Sequence, residues 1–225
     1  MLSESQIERY SRQIILPQLG GRGQEKLLSA TVAVVGGDRL GITAATYLAA
    51  AGVGRLVVAA PRVQSEIEGL NPDCQIAALP LSAVAIAAAL RGCTAALACG
   101  ATPDECTVIN SACIAQRITL IWGHTLGTHG WVTVLAGHRE QSPCYACVAP
   151  HVSRAAADDA ANDPLADATA AFIGTLQATA TIEALLGLDV SLATRLLTYD
   201  AAAGTFGEEV VGKDPHCAAC GERRA

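Results

Sequence analysis
Two pairs of thiols define the first candidate centre, Cys144-Tyr145-Ala146-Cys147 and Cys217-Ala218-Ala219-Cys220. Cysteines separated by two residues can each clamp one edge of a tetrahedral metal, and four sulfur ligands leave no open position for water. The pattern predicts a structural zinc held by Cys144, Cys147, Cys217 and Cys220, which pins the tail to the middle of the chain. Unrelated thiol pairs in loops are the bland alternative and a redox dithiol a weaker one; turn residues beside both pairs favour the metal. A second candidate is the run Gly36-Gly37-Asp38-Arg39-Leu40-Gly41. Glycines between a strand and a helix let the backbone approach a phosphate, and the helix N-terminus supplies positive potential. Gly36 and Gly41 fill the first and last glycine positions, but Asp38 stands at the middle one, where a carboxylate repels and obstructs phosphate. Arg39 offsets part of that charge. The favoured alternative is that Asp38 caps a structural helix, using the dipole that phosphate would otherwise use.

The elements around these residues follow a regular order. Residues 1–30 read as a helical arm: an amphipathic helix, an extended Ile14-Ile15-Leu16-Pro17 segment and a short helix through Gln24 to Leu28. Strands are expected at Thr31–Val35, Arg55–Ala59, Gln75–Leu79, Ala95–Cys99 and Thr119–Trp122. Helices are expected between them at Ile42–Ala51, Glu66–Leu70, Ala83–Arg91 and Cys106–Gln116. Such alternation implies a parallel sheet with helices on both faces. Trp131–Ala136 reads as an antiparallel arm, His151–Asp167 as a mobile crossover loop, Ala168–Leu186 as a long helix, and Leu196–Tyr199 and Glu208–Val211 as strands. The fold class expected is α/β: a Rossmann-like, doubly wound, mostly parallel sheet with an antiparallel C-terminal extension and a zinc knuckle. It forms one domain over 1–225, comprising the arm (1–30), a Rossmann-like half (31–136) and a zinc-knuckle and C-terminal half (137–225).

Several motifs together resemble one family. They are Arg9-Tyr10-Ser11-Arg12-Gln13-Ile14-Ile15-Leu16, Gly23-Gln24-Glu25-Lys26-Leu27, Val32-Ala33-Val34-Val35-Gly36, Tyr47 to Gly54, Asn71-Pro72 and Ile109-Asn110. Pro143 to Cys147, Ile173-Gly174-Thr175-Leu176-Gln177-Ala178 and Cys217 to Cys220 continue the series. In that order they resemble the ThiF/MoeB/HesA family of ubiquitin-activating-type adenylyltransferases over nearly the whole chain. The resemblance implies a dimer that uses ATP and magnesium to adenylate the C-terminal Gly-Gly of a small ubiquitin-like or sulfur-carrier protein. It also implies that Arg12 reaches the ATP site of a neighbouring protomer.

Against that pattern, several positions differ. Ala60 stands where the family has the ribose-binding Asp, and Arg62 where it has a phosphate-binding lysine. A family segment with an Asn, an Arg and a Gln is missing after Ala60. Ala98-Cys99-Gly100-Ala101-Thr102 replaces the family's Asp-Cys-Thr-Asp-Asn, so both carboxylates are lost, and Cys106 replaces another arginine. Asp104 and Glu105, after Pro103, are expected to open a helix rather than ligate. Cys74, Cys93, Cys99, Cys106 and Cys113 lie on or beside apolar elements and read as packing residues, while His124 and His129, flanking a glycine turn, read as structural or surface groups.

Composition narrows the classes. With 51% hydrophobic residues, 16% charged residues and a net charge of −6, the 225-residue chain can bury a core but has no basic patch for a polynucleotide. Nucleic acid is therefore not expected as a partner. Charges at Glu4, Glu8, Arg9 and Arg12 interrupt any leader-like run, and the apolar stretches are broken before the roughly 20 residues of a membrane span. A cytoplasmic protein with no membrane partner is expected. The losses at the nucleotide positions lead to the expectation of a non-catalytic homologue, a dimeric scaffold or regulatory partner with structural zinc as cofactor and with binding of ATP and magnesium in doubt. It would be a homodimer, or a heterodimer that lends Arg12 to an active family member. Two alternatives stand beside it: a divergent adenylyltransferase rebuilt around Arg39, Arg62 and Asp104, and a module binding a small molecule or modifier tail.

Overall fold
Ser3 opens the chain's first helix through a capping box with Gln6, and three helices precede the sheet: α1 (Glu4–Arg9), α2 (Ser11–Ile14) and α3 (Gly20–Ser29). The computed structural model describes residues 1–80, 82–152, 164–188 and 192–221. The remaining elements are β1 (Thr31–Val35), α4 (Arg39–Ala51), β2 (Arg55–Ala59), α5 (Pro61–Ile67), β3 (Gln75–Ala78), α6 (Ala83–Ala89), β4 (Ala95–Cys99) and α7 (Pro103–Gln116). They are followed by β5 (Thr119–Leu126), β6 (His129–Leu135), α8 (Tyr145–Val148) with a 3₁₀ turn at Ala149–His151, α9 (Pro164–Leu186), β7 (Arg195–Asp200) and β8 (Thr205–Val210).

The eight strands run in the order β3-β2-β1-β4-β5-β6-β7-β8. The pairs from β3 to β5 are parallel, and β6, β7 and β8 add on antiparallel. β1 shows why the centre is apolar on both sides. Val32 and Val34 join a core made with α4, α5 and α9, while Ala33 and Val35 join a core made with α6, α7 and α8. Order reverses between β1 and β4, so a crevice opens at their carboxyl ends, the usual ligand position in such sheets.

Two close approaches fix the helices on the first face. A Cβ at Gly174 would lie 2.4 Å from the Leu40 carbonyl oxygen, so α9 and α4 pack backbone to backbone. Gln177, fully buried, donates from Nε2 to the carbonyls of Ala98 (3.0 Å) and Ile121 (2.9 Å), tying α9 to β4 and β5. α9 is long and apolar enough by length and composition to cross a membrane, which the sequence was not expected to offer; half of its most apolar window is buried against the sheet and α4, the position of a core helix.

Several boundaries differ from expectation. Ile14 is helical and Ile15 lies in the right-handed helical region, because the Tyr10 carbonyl accepts the Gln13 and Ile14 amides and coils the chain; Ile15 is 76% exposed, so no sheet surface rewards extension. The helix placed at Glu66–Leu70 begins at Pro61, whose preset φ suits a first helical residue, and it buries Val63 and Ile67 one turn apart. α7 starts at Pro103 behind a Thr102–Glu105 capping box, and α9 starts at Pro164. Of the crossover loop expected at His151–Asp167, residues 153–163 lie outside the described residues.

Candidate functional site
The four cysteines of the two pairs converge. Cys144 sits at the start of α8 and Cys147 within it; the second pair lies in a tight turn in which the Gly221 amide donates to the Cys217 carbonyl at 2.8 Å. Cys144 and Cys217 sulfurs are 3.7 Å apart, Cys147 and Cys220 sulfurs 3.6 Å, and all four lie within 4.8 Å of one another. A tetrahedron with metal–sulfur bonds of about 2.3 Å has edges of about 3.8 Å, so the donor set fits zinc and the pairs are too far apart for disulfides. Burial raises the Cys144 thiol. Burial also opposes ionisation of Cys217, but amide donation from Cys220 and Ala219 together with the Cys147 and Cys144 thiols brings it down to about 7. Asn110, buried on α7, accepts the Tyr145 amide at 2.9 Å and steadies α8.

At the β1–β4 crevice the chain turns at Gly36 with φ 113°, and a Cβ there would lie 1.9 Å from the Cys99 carbonyl oxygen. Only glycine permits that approach. Gly41 is equally confined, its Cβ position 2.5 Å from the Gly36 carbonyl oxygen. Asp38 is the N-cap of α4: its Oδ1 accepts the Leu40 amide at 3.0 Å, and its Oδ2 lies 2.7 Å from where a Cβ at Gly100 would stand. The carboxylate therefore bridges the mouth of the crevice. Arg39, Arg62 and Asp104 occupy the first turns of α4, α5 and α7, all at the carboxyl edge of the parallel sheet. Arg39 is 3.6 Å from Asp167 in an exposed ion pair.

Arg12 projects from α2 and is exposed, making no ion pair with a described residue. Arg9 instead anchors the arm to Asp73, which also accepts from Gln6 Nε2 (3.2 Å) and Tyr10 Oη (3.0 Å). The five cysteines outside the pairs behave as packing residues. Burial pushes Cys74 and Cys106 up to about 11 and Cys113 to about 12, and raises Cys93 and Cys99, with Asp38 and Cys106 adding at Cys99.

Sequence reasoning missed an aromatic pocket beside the crevice. β5 runs past the end of β4, and Trp122, His124 and Leu126 alternate along its second face, with Trp131 of β6 directly opposite His124. Trp122 and His124 rings stack at 5.9 Å and 15°; Tyr145 is 5.8 Å from Trp122. The cavity they line measures about 600 Å³ and reaches Ala101 and Asp104. Burial keeps His124 below the usual histidine range, although Asp38 pulls the other way. The period-two run Trp122-x-His124-x-Leu126 was the signal available in the sequence.

A doubly wound sheet with a switch-point crevice, an antiparallel extension and a four-cysteine cluster between α8 and the segment after β8 defines a Rossmann-like α/β protein. The ThiF family model matches residues 10–59 and 60–219, and the chain belongs to that family. It is 31% identical to the sulfur carrier protein adenylyltransferase of Thermus thermophilus, over 98% of this chain and 93% of that protein. It is 34% identical to bovine adenylyltransferase and sulfurtransferase MOCS3 over 99% of this chain, but spans only 55% of that protein. Among solved structures, E. coli MccB matches all of this chain and 75% of its own with a TM-score of 0.77 at 14% identity, which speaks to the fold. The expectation of a non-catalytic scaffold or regulatory partner is corrected by the Thermus and bovine relatives, both named as adenylyltransferases.

Proposed function
We propose that this chain is an ATP-dependent adenylyltransferase acting on the C-terminal carboxylate of a small ubiquitin-like or sulfur-carrier protein, or of a peptide. A carboxylate oxygen would attack the α-phosphorus of ATP, the bond to pyrophosphate would break, and an acyl adenylate would form. The observation that carries the reading is that Arg39, Arg62 and Asp104 stand at one sheet edge around the β1–β4 crevice, in a chain whose relative of near-equal length is named for this reaction.

Arg39 and Arg62 would hold the phosphates, and Asp38 and Asp104 flank the end of β4, where they would hold magnesium in place of the carboxylates absent at Ala98 and Ala101. Magnesium, when bound, neutralises phosphate charge and orients the leaving group. Without that cation, Asp38 repels the nucleotide. Zinc at Cys144, Cys147, Cys217 and Cys220 is structural in this reading. Arg12, exposed and without an ion pair to a described residue, would extend into the crevice of a second copy of this chain, where a guanidinium stabilises charge at the transferring phosphate.

The test is exchange of labelled pyrophosphate into ATP with magnesium, using carriers and short peptides of varied carboxyl-terminal sequence. Exchange lowered about tenfold or more by Arg62→Ala, and by Arg12→Ala in a way that mixing with wild-type chains relieves, is expected. Background exchange with every carboxylate would overturn the reading.

A further inference from the structure
The aromatic pocket is built for something larger than glycine. It begins at Ala101, one residue beyond Gly100, which Asp38 faces, so it lies beside the crevice that receives the nucleotide in the reading above. Trp122 and Trp131, 3% and 5% exposed, line it, with His124 stacked on Trp122 and tilted against Trp131 at 6.1 Å, and Leu126, Tyr145 and Val152 complete the apolar walls. At about 600 Å³ it falls within the range of small-molecule sites. A tail ending in Gly-Gly has no side chain to displace water from the cavity, and it would leave it wet. A bulky apolar side chain, an aromatic ring above all, could fill the cavity and leave water for its apolar lining. Asp104 at the rim disfavours an acidic side chain entering.

We propose that the pocket receives the side chain of a bulky apolar, preferably aromatic, carboxyl-terminal residue, so that the acyl substrate of this chain is a peptide or carrier tail that does not end in Gly-Gly. The proposal rests on the adenylyl-transfer reading for the fate of the carboxylate and on the pocket alone for the identity of the side chain.

Both tryptophans of the protein lie in this pocket, so intrinsic fluorescence reports its occupancy without ATP. The experiment titrates the full chain with acetylated tetrapeptides ending in Phe, Leu or Gly-Gly. The Phe-ended peptide is expected to shift the emission and to bind about tenfold to a hundredfold more tightly than the Gly-Gly peptide. Thr107→Phe, an exposed α7 position on the pocket wall, should remove most of that preference without touching the core. Equal or tighter binding of the Gly-Gly peptide, or an unchanged emission with the Phe-ended one, would overturn the proposal. The same peptides in pyrophosphate exchange separate the two ideas. Selective binding without exchange removes adenylyl transfer and leaves the pocket, whereas exchange that favours Gly-Gly leaves the reaction and removes the pocket.

Discussion

Asp38 has two oxygens and two neighbours: one accepts the Leu40 amide and caps α4, the other faces Gly100 across the crevice. A carboxylate in that position makes nucleotide affinity depend on a divalent cation more steeply than a glycine would. Asp38→Gly is expected to bind magnesium-free ATP about tenfold more tightly than the native chain, a change of about 1.4 kcal/mol, while gaining little in the presence of magnesium. Calorimetry with and without a magnesium chelator checks both halves. Stability should fall only by a few tenths of a kcal/mol, since glycine is itself a fair N-cap. The capping role of Asp38 was legible in the sequence because it depends on the next two residues alone. The pairing of His124 with Trp131 was not, because those side chains meet only after β5 and β6 fold into a hairpin around Gly127.

Between elements, a polar network joins the N-terminal helices to the turn before β3. Asn71, buried, donates from Nδ2 to the Tyr10 hydroxyl at 2.8 Å and to the Ala49 carbonyl at 2.7 Å, and Asp73 gathers Gln6, Tyr10 and Arg9. Burial works against ionisation of Asp73, but donation from Gln6, Tyr10 and Arg9 prevails and holds its carboxyl below the usual value of 3.8. A carboxyl depressed in the folded state contributes stability that is complete above its unfolded pKa and is lost as pH falls through the folded one. The arm should therefore loosen first in acid, below about pH 4. Asp73→Ala is expected to cost about 1–3 kcal/mol in urea unfolding at pH 7 and to abolish that acid-sensitive step, which protease clipping of α1 would follow. The sequence placed β1, β2 and β4 to the residue, since apolar strands bounded by glycine turns carry their own punctuation. It missed the coil at Ile14–Pro17 because β-branched residues there suggest a strand, and only the Tyr10 anchor decides otherwise.

Across the whole molecule, the four-cysteine cluster connects the end of the chain to the start of α8. One zinc per chain is expected by metal analysis, and Cys217→Ser should lose it and lower the melting temperature by about 5 °C or more, matched by chelation of the native protein. An unchanged melting curve in chelator would count against a metal. With zinc bound, the 73-residue span from Cys144 to Cys217, which carries α9, β7 and β8, becomes a closed ring. Under mechanical load, that ring is hidden length. Pulled from its two ends in a single-molecule trap, the unfolded chain should extend about 250 Å less than its residue count allows, at about 3.5 Å per residue, until the zinc–thiolate bonds give way. A second rupture that releases this length, and vanishes after chelation, would identify the metal as the last part of the fold to yield.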